Sequence, residues 1–227
     1  MKKIVTNKEV ADFYDEYVSQ QVTYSKNLRH LFLIKKLKAL KIKSDQTLLE
    51  LGCGVGTVAE EIYTKCKPKK ITGIDISPKS IEHANKINAK HKGNVEFIVG
   101  DVCDLHLKEK YDYVLIFDLL EHLQAEKHEL FFTGLQNCLK EGGKIILNIP
   151  YAGYLKFLIE TEPHNIQIIE EPISISHLGA VLEKTGFEME YLETYDLWVN
   201  YEYQYMVIKR QEKFKLNWLP EKKWYHF

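Results

Sequence analysis

The chain has almost no net charge. Its 31 Lys and Arg residues face 32 Asp and Glu residues, leaving −1 with neutral histidines. That balance provides no overall attraction to nucleic acid or to an anionic membrane. No run is long and apolar enough to span a bilayer. The opening Met-Lys-Lys-Ile-Val-Thr-Asn-Lys lacks the apolar core of a signal peptide. Cysteine is scarce, and Cys53, Cys66, Cys103 and Cys138 show no metal-ligand spacing. They read as small buried or neutral residues in a reducing compartment, so the expected location is the cytoplasm. There is no internal repeat. With 227 residues, 45% hydrophobic and 28% charged, the chain fits one large domain or one domain with a cap.

What is present centres on residues 48–57, Leu-Leu-Glu-Leu-Gly-Cys-Gly-Val-Gly-Thr. An apolar run able to form a buried strand meets a glycine-rich turn, and a helix-compatible stretch follows. Glycine permits positive φ and a close ligand, and the free N–H groups of the next helix face the turn. A dinucleotide-binding turn has the spacing G-x-G-x-x-G, with an acidic residue about 20 residues further on. Here Gly52, Gly54 and Gly56 alternate, and Thr57 stands where the third glycine of that pattern belongs. Glu50 precedes the turn; a carboxylate there is a poor neighbour for pyrophosphate and a good one for a cation. The pattern E-x-G-x-G-x-G resembles the first motif of class I S-adenosylmethionine (SAM)-dependent methyltransferases. The resemblance runs from about Leu48 to Lys209. It implies a Rossmann-like α/β fold, a doubly wound and mostly parallel sheet with an antiparallel closing strand and helices on both faces.

Strands at 47–51, 70–75, 94–99, 111–117 and 144–149 alternate with helices at 57–66, 78–90 and 125–139. A helix at 174–184 leads into a closing pair at 187–195 and 201–209. The resulting parallel sheet places the ends of its strands along one crevice. Asp75 ends the second strand, where it can accept both ribose hydroxyls. Ser77-Pro78 caps the next helix and frees Asp75 for that task. The resemblance places Asp101 near an adenine, where it can accept the exocyclic amine, with Ile76, Val102 and Asp118 also at the cofactor. Together with Glu50, Gly52, Gly54 and Gly56 these make up the expected SAM site.

Asp118-Leu-Leu-Glu121-His122 follows the fourth strand. If a helix starts there, Asp118, Glu121 and His122 share a face. Three readings stay open. Glu121-His122 caps and packs a helix; His122 is a general base, its ordinary pKa being near neutrality; or the three side chains hold a divalent cation such as Mg²⁺. The last follows from a narrower resemblance to the Glu-x-x-Glu-His of ubiquinone-pathway O-methyltransferases and small-RNA 3′-terminal methyltransferases, from which Asp118 departs.

Residues 1–45 read as a helical lid, with helices at 8–18 and 25–40 and Leu28, Leu31, Phe32 and Leu37 suggesting the apolar face of the second. Residues 46–210 form the SAM-binding core. Within it, 150–173 loses its alternation and reads as an irregular insertion covering the substrate. Residues 211–227 form an aromatic tail. A homodimer through the N-terminal helices or this tail is the expected assembly. The leading function is methyl transfer from SAM to a small-molecule acceptor, at oxygen, with His122 and Glu121 as the catalytic residues. An RNA or other nucleic-acid methyltransferase is disfavoured by the missing basic excess and by the lack of an Asn/Asp-Pro-Pro-Tyr/Phe motif after the fourth strand. A non-catalytic SAM-binding module and a hydride-transferring dehydrogenase are the remaining readings; Glu50 and Thr57 count against the dehydrogenase.

Overall fold

The computed structural model describes residues 5–24 and 27–213. The aromatic tail with Trp218, Trp224, Tyr225 and Phe227 lies outside the described residues. Seven strands form one sheet: β1 Thr47–Leu51, β2 Lys70–Asp75, β3 Val95–Val99, β4 Tyr111–Phe117, β5 Leu139–Pro150, β6 Phe187–Tyr195 and β7 Tyr203–Arg210. Their order is β3-β2-β1-β4-β5-β7-β6. The first five run parallel, and β7 is antiparallel to both β5 and β6. This is the expected doubly wound sheet with its closing antiparallel strand. The order reverses between β1 and β4, and the cleft at such a switch point is where ligands bind in open α/β sheets.

The helices are α1 Asn7–Thr23, α2 Leu28–Ala39, α3 Thr57–Cys66, α4 Pro78–Ile87, α5 His128–Cys138, α6 Ala152–Thr161 and α7 Ile175–Lys184. Alternating side chains of each central strand feed two cores. Leu48 and Leu115 meet Leu33 and Leu37 of α2 and Ala59 and Ile62 of α3. On the other face Leu49, Val114, Ile116 and Leu147 meet Phe131, Phe132 and Leu135 of α5 and Val181 of α7. Near-continuous apolar strands follow from burial on both faces.

Several local expectations are corrected. The buried side of α2 is Leu33, Ile34 and Leu37, while Leu28 and Leu31 are exposed. Residues 125–139 do not form one helix: a 3₁₀ turn at Ala125–Lys127 precedes α5, and β5 begins at once at Leu139. The Glu141-Gly142-Gly143 turn is a bulged part of β5, with Gly142 at φ 69°. The insertion contains a regular helix, α6. Its alternation is lost because Leu155 and its neighbours follow a helical period on one side.

Phe132 is fully buried between Phe131 and Phe187, at centroid distances of 5.4 and 6.1 Å. Phe132→Ala is expected to cost about 3–5 kcal/mol of unfolding free energy. Denaturant titration measures this, and a loss below about 1 kcal/mol would contradict so tight a core.

Candidate active site

The glycine turn closes β1 onto α3. Gly52, Gly54 and Gly56 all have positive φ, at 69°, 49° and 78°. At Gly56 the need for glycine is also steric: a Cβ would lie 2.6 Å from Ala84 Cβ of α4. The turn is pinned from β2. The Ile74 carbonyl accepts from the Gly52 and Cys53 amides at 2.8 and 3.0 Å.

Asp75 takes part in this pinning. Its Oδ2 accepts from the Gly54 amide at 2.8 Å and its Oδ1 from the Ser77 amide at 2.9 Å. Ser77 is the expected cap, accepting from the Ser80 amide at 3.0 Å. Asp75 is therefore a brace between the turn and α4 as well as a rim carboxylate; each oxygen retains a lone pair for a ligand. Burial raises its pKa, and the Ser77 and Gly54 amides work against that rise.

Glu50 lies below the turn and is 3% exposed, and its Oε2 has no hydrogen-bond partner among the described residues. Burial, with Asp75 nearby, pushes its pKa up to about 8. Asp101 accepts from the Cys103 amide at 2.8 Å and, through Oδ2, from the Asn7 side-chain amide of α1 at 2.6 Å. Ile76 and Val102 line the same cavity, which measures about 420 Å³.

Across the cavity the segment after β4 differs from the expected helix start. Asp118 has a φ of 51°, and a single 3₁₀ turn, Leu120–His122, follows. Asp118 therefore does not share a helical face with Glu121 and His122. Its Oδ2 pairs with Arg29 Nε of α2 at 2.7 Å, and its Oδ1 accepts from Asn148 Nδ2 of β5 at 3.1 Å. Tyr195 donates its hydroxyl to Asn148 Oδ1 at 2.7 Å, and Arg29 donates to the Tyr203 hydroxyl at 2.6 Å. Burial opposes the charge on Arg29, but Asp118 and Tyr203 more than offset this and raise its pKa.

Glu121 and His122 do line the cavity. His122 Nδ1 lies 2.9 Å from the Ile169 carbonyl, which requires that nitrogen to carry the proton. In the neutral ring Nε2 then holds the free lone pair, 4.0 Å from Glu121 Oε1. Glu121 is 2% exposed, and its Oε2 lacks a partner among the described residues. Burial first, then the charge of Asp118, holds its pKa well above the usual carboxylate range. Among the described residues no group of three or more His, Cys, Asp or Glu is placed to hold a metal ion. The donor set expected for Mg²⁺ is split, because Asp118 is turned to Arg29 and Asn148.

A family model described as a methyltransferase domain matches residues 48–143. Malonyl-[acyl-carrier protein] O-methyltransferase 2 of Ilyobacter polytropus is 32% identical over 190 residues, covering 80% of this chain and 68% of that protein. The chain belongs to the class I SAM-dependent methyltransferases. Magnesium protoporphyrin IX methyltransferase from Synechocystis, in a crystal structure with bound SAM, shares the fold at a TM-score of 0.67 and 16% identity, covering 93% of this chain and 100% of that one. A relative from Invertebrate iridescent virus 6 is 26% identical over 182 residues. The chain spans about a third to two thirds of the length of the curated relatives it matches first.

In this chain the residues present fit a cofactor with a cationic amino-acid end. An unpartnered buried carboxylate, Glu50, lines the cavity beside the glycine turn. Sequence reasoning missed Arg29, Tyr14, Asn148 and Glu170. One signal was available for the first: Arg29 and Arg210 are the chain's two arginines in a background of lysine, and both make several bonds.

Glu50 ionises near pH 8 when folded, against an ordinary 4.5. Between those values the folded state keeps a proton that the unfolded state has lost, so Glu50 makes stability fall as pH rises. Glu50→Gln is expected to flatten the decline in unfolding midpoint between about pH 5 and 8. Parallel pH slopes for the two proteins would rule out a buried, neutral Glu50.

Proposed function

We propose that this chain transfers the methyl group of SAM to a small-molecule acceptor, at oxygen, with His122 taking the acceptor's proton. The carrying observation is the cavity itself, where the cation-ready Glu50 and the glycine turn face the Glu121-His122 turn. Glu50 would receive the ammonium of SAM, and the positive charge would in turn draw Glu50 into its ionised form. Asp118 and the amides of the turn would hold the same end. Asp75 would accept from the ribose and Asp101 from the adenine, with Ile76 and Val102 against the ring. Asn7 occupies Asp101 in this structure, so it would yield or share that oxygen.

When bound, SAM supplies an electrophilic sulfonium methyl whose leaving thioether is neutral. The protein's part is then to align the acceptor and remove its proton. His122 has its Nδ1 proton held by Ile169, which orients Nε2 as the acceptor of that proton. Glu121, next to that nitrogen, would stabilise the imidazolium formed. Relatives include both O-methyltransferases and N-methyltransferases; what supports oxygen here is a ring nitrogen placed to take a hydroxyl proton. The lining, rich in carboxylates, supports a small molecule over a nucleic acid, whose phosphates need cations.

Helices α1 and α2 act as a lid in this reading. Asp15 of α1 accepts from the Ser77 hydroxyl at 2.5 Å and the Lys79 amide at 3.1 Å, and Gln21 lies against Gly54. The segment after β5 would cover the acceptor through Tyr154, Leu158 and Ile169, all in the cavity wall.

Titration calorimetry is expected to detect SAM and S-adenosylhomocysteine (SAH), without comparable NAD binding. Asp75→Ala should weaken SAH at least about tenfold, since it removes both an acceptor and the brace of the turn. Unchanged affinity would take Asp75 out of the site. His122→Ala should leave SAH affinity intact and slow transfer to a found acceptor about 100-fold or more. Full activity in that variant would make His122 a packing residue.

A further inference from the structure

The cavity is larger than its cofactor half, and its far side has an unusual charge. Glu121 and Glu170 both line it. Glu170 accepts from the Gln167 amide at 3.1 Å, and its other oxygen lies 3.8 Å from His122 Nδ1. Neither carboxylate has a lysine or arginine at ion-pair distance among the described residues. The guanidinium nearby, Arg29, is already matched by Asp118 at 2.7 Å. Glu121 Oε2 is buried, faces the cavity and has no partner among the described residues. A buried carboxylate without a partner is costly, and a native structure tolerates it where a ligand supplies the missing donor.

The walls beside these carboxylates are aromatic. Tyr14 and Tyr17 of α1 line the cavity with their rings edge to face at 6.3 Å, and Tyr14 meets the His122 ring edge-on at 6.3 Å. The Tyr14 hydroxyl is buried and also lacks a partner among the described residues. Burial raises the Tyr14 pKa, and Glu121, Asp75 and Glu170 raise it further, so its hydroxyl stays neutral. Ring faces next to carboxylates form a favourable setting for an organic cation and a poor one for an anion.

We propose, taking the cavity as the methyl-transfer site argued above, that the acceptor carries a protonated amine, seated against Glu121 and Glu170 and beside the rings of Tyr14 and Tyr17. The ammonium supplies the donor that Glu121 Oε2 lacks and draws Glu121 into its ionised form, as a cation does at a buried carboxyl. A carboxylate at the same place stands against Glu170 with no lysine or arginine to pair with among the described residues, and is disfavoured. The chain's own residues thereby select among small hydroxylated acceptors by the charge of a group away from the methylated atom.

The test uses matched probes on the full chain saturated with SAH. Tyramine and dopamine are set against para-hydroxyphenylacetate and its catechol counterpart, which keep the ring and hydroxyls but end in a carboxylate. Calorimetry is expected to detect the amines and not the acids. Glu121→Gln and Glu170→Gln, each of similar size and neutral, should weaken the amines about tenfold while SAH affinity stays within about twofold. Failure of SAH itself to bind would remove the methyl-transfer reading. SAH binding with acids equal to or better than amines, with no amine bound, or with amine affinity unchanged in both variants, overturns the amine assignment and leaves methyl transfer standing.

Discussion

Uncompensated buried acidity is the constraint from which the rest of the site follows. Glu50 sits inside the sheet's rim, with Asp75 as its nearest charged neighbour and an Oε2 that lacks a partner among the described residues. A carboxylate in that position stays protonated near neutrality until a cation arrives. The fold holds it there because β1 is central, with β2 and β4 on either side, which leaves Glu50 buried at the floor of the cavity. The glycine turn above it has to be free of side chains, and the Ile74 carbonyl and Asp75 hold that turn open. Glu121 repeats the theme across the cavity. Two unsatisfied acids at opposite walls are expensive for the empty protein, and both costs fall when positively charged ligands fill the space.

The N-terminal helices are built into this arrangement. From α1, Asp15 binds the start of α4, Asn7 reaches Asp101, and Tyr14 lines the cavity with its ring against His122. From α2, Arg29 neutralises Asp118. Helices α1 and α2 thus supply charge and hydrogen bonds to the rim of the cavity.

Much of this was legible in the sequence because it depends on local pattern. Alternating Gly52, Gly54 and Gly56 after an apolar strand, Ser77-Pro78 at a helix start and the β–α rhythm each have a near-neighbour cause, and each appears in the structure. Tertiary arrangements were not legible. Asp118 adopts a left-handed backbone because Asn148 and Arg29, distant in sequence, hold both its oxygens, so a helical spacing argument could not place it. Leu28 and Leu31 fit an apolar period as well as Leu33 and Ile34 do, and docking on β1 and α3 decided between them. Asp75 looked free once Ser77 supplied the cap, yet the backbone of the neighbouring turn uses it. Arg29 was the one missed residue whose type already set it apart in a lysine-rich chain.

The insertion of β7 between β5 and β6 has a consequence for synthesis. While residues 203–210 are still to be made, the outer side of β5 is an open edge able to pair with foreign strands. Strands β1 to β4 and their helices can pack before then, as the earlier part of a nascent chain generally does. The side chains that buttress Arg29 and Asn148, the partners of Asp118, cannot, because Tyr195 and Tyr203 arrive on β6 and β7. A nascent chain therefore has its glycine turn well before the hydrogen bonds that Tyr195 and Tyr203 make to Asn148 and Arg29.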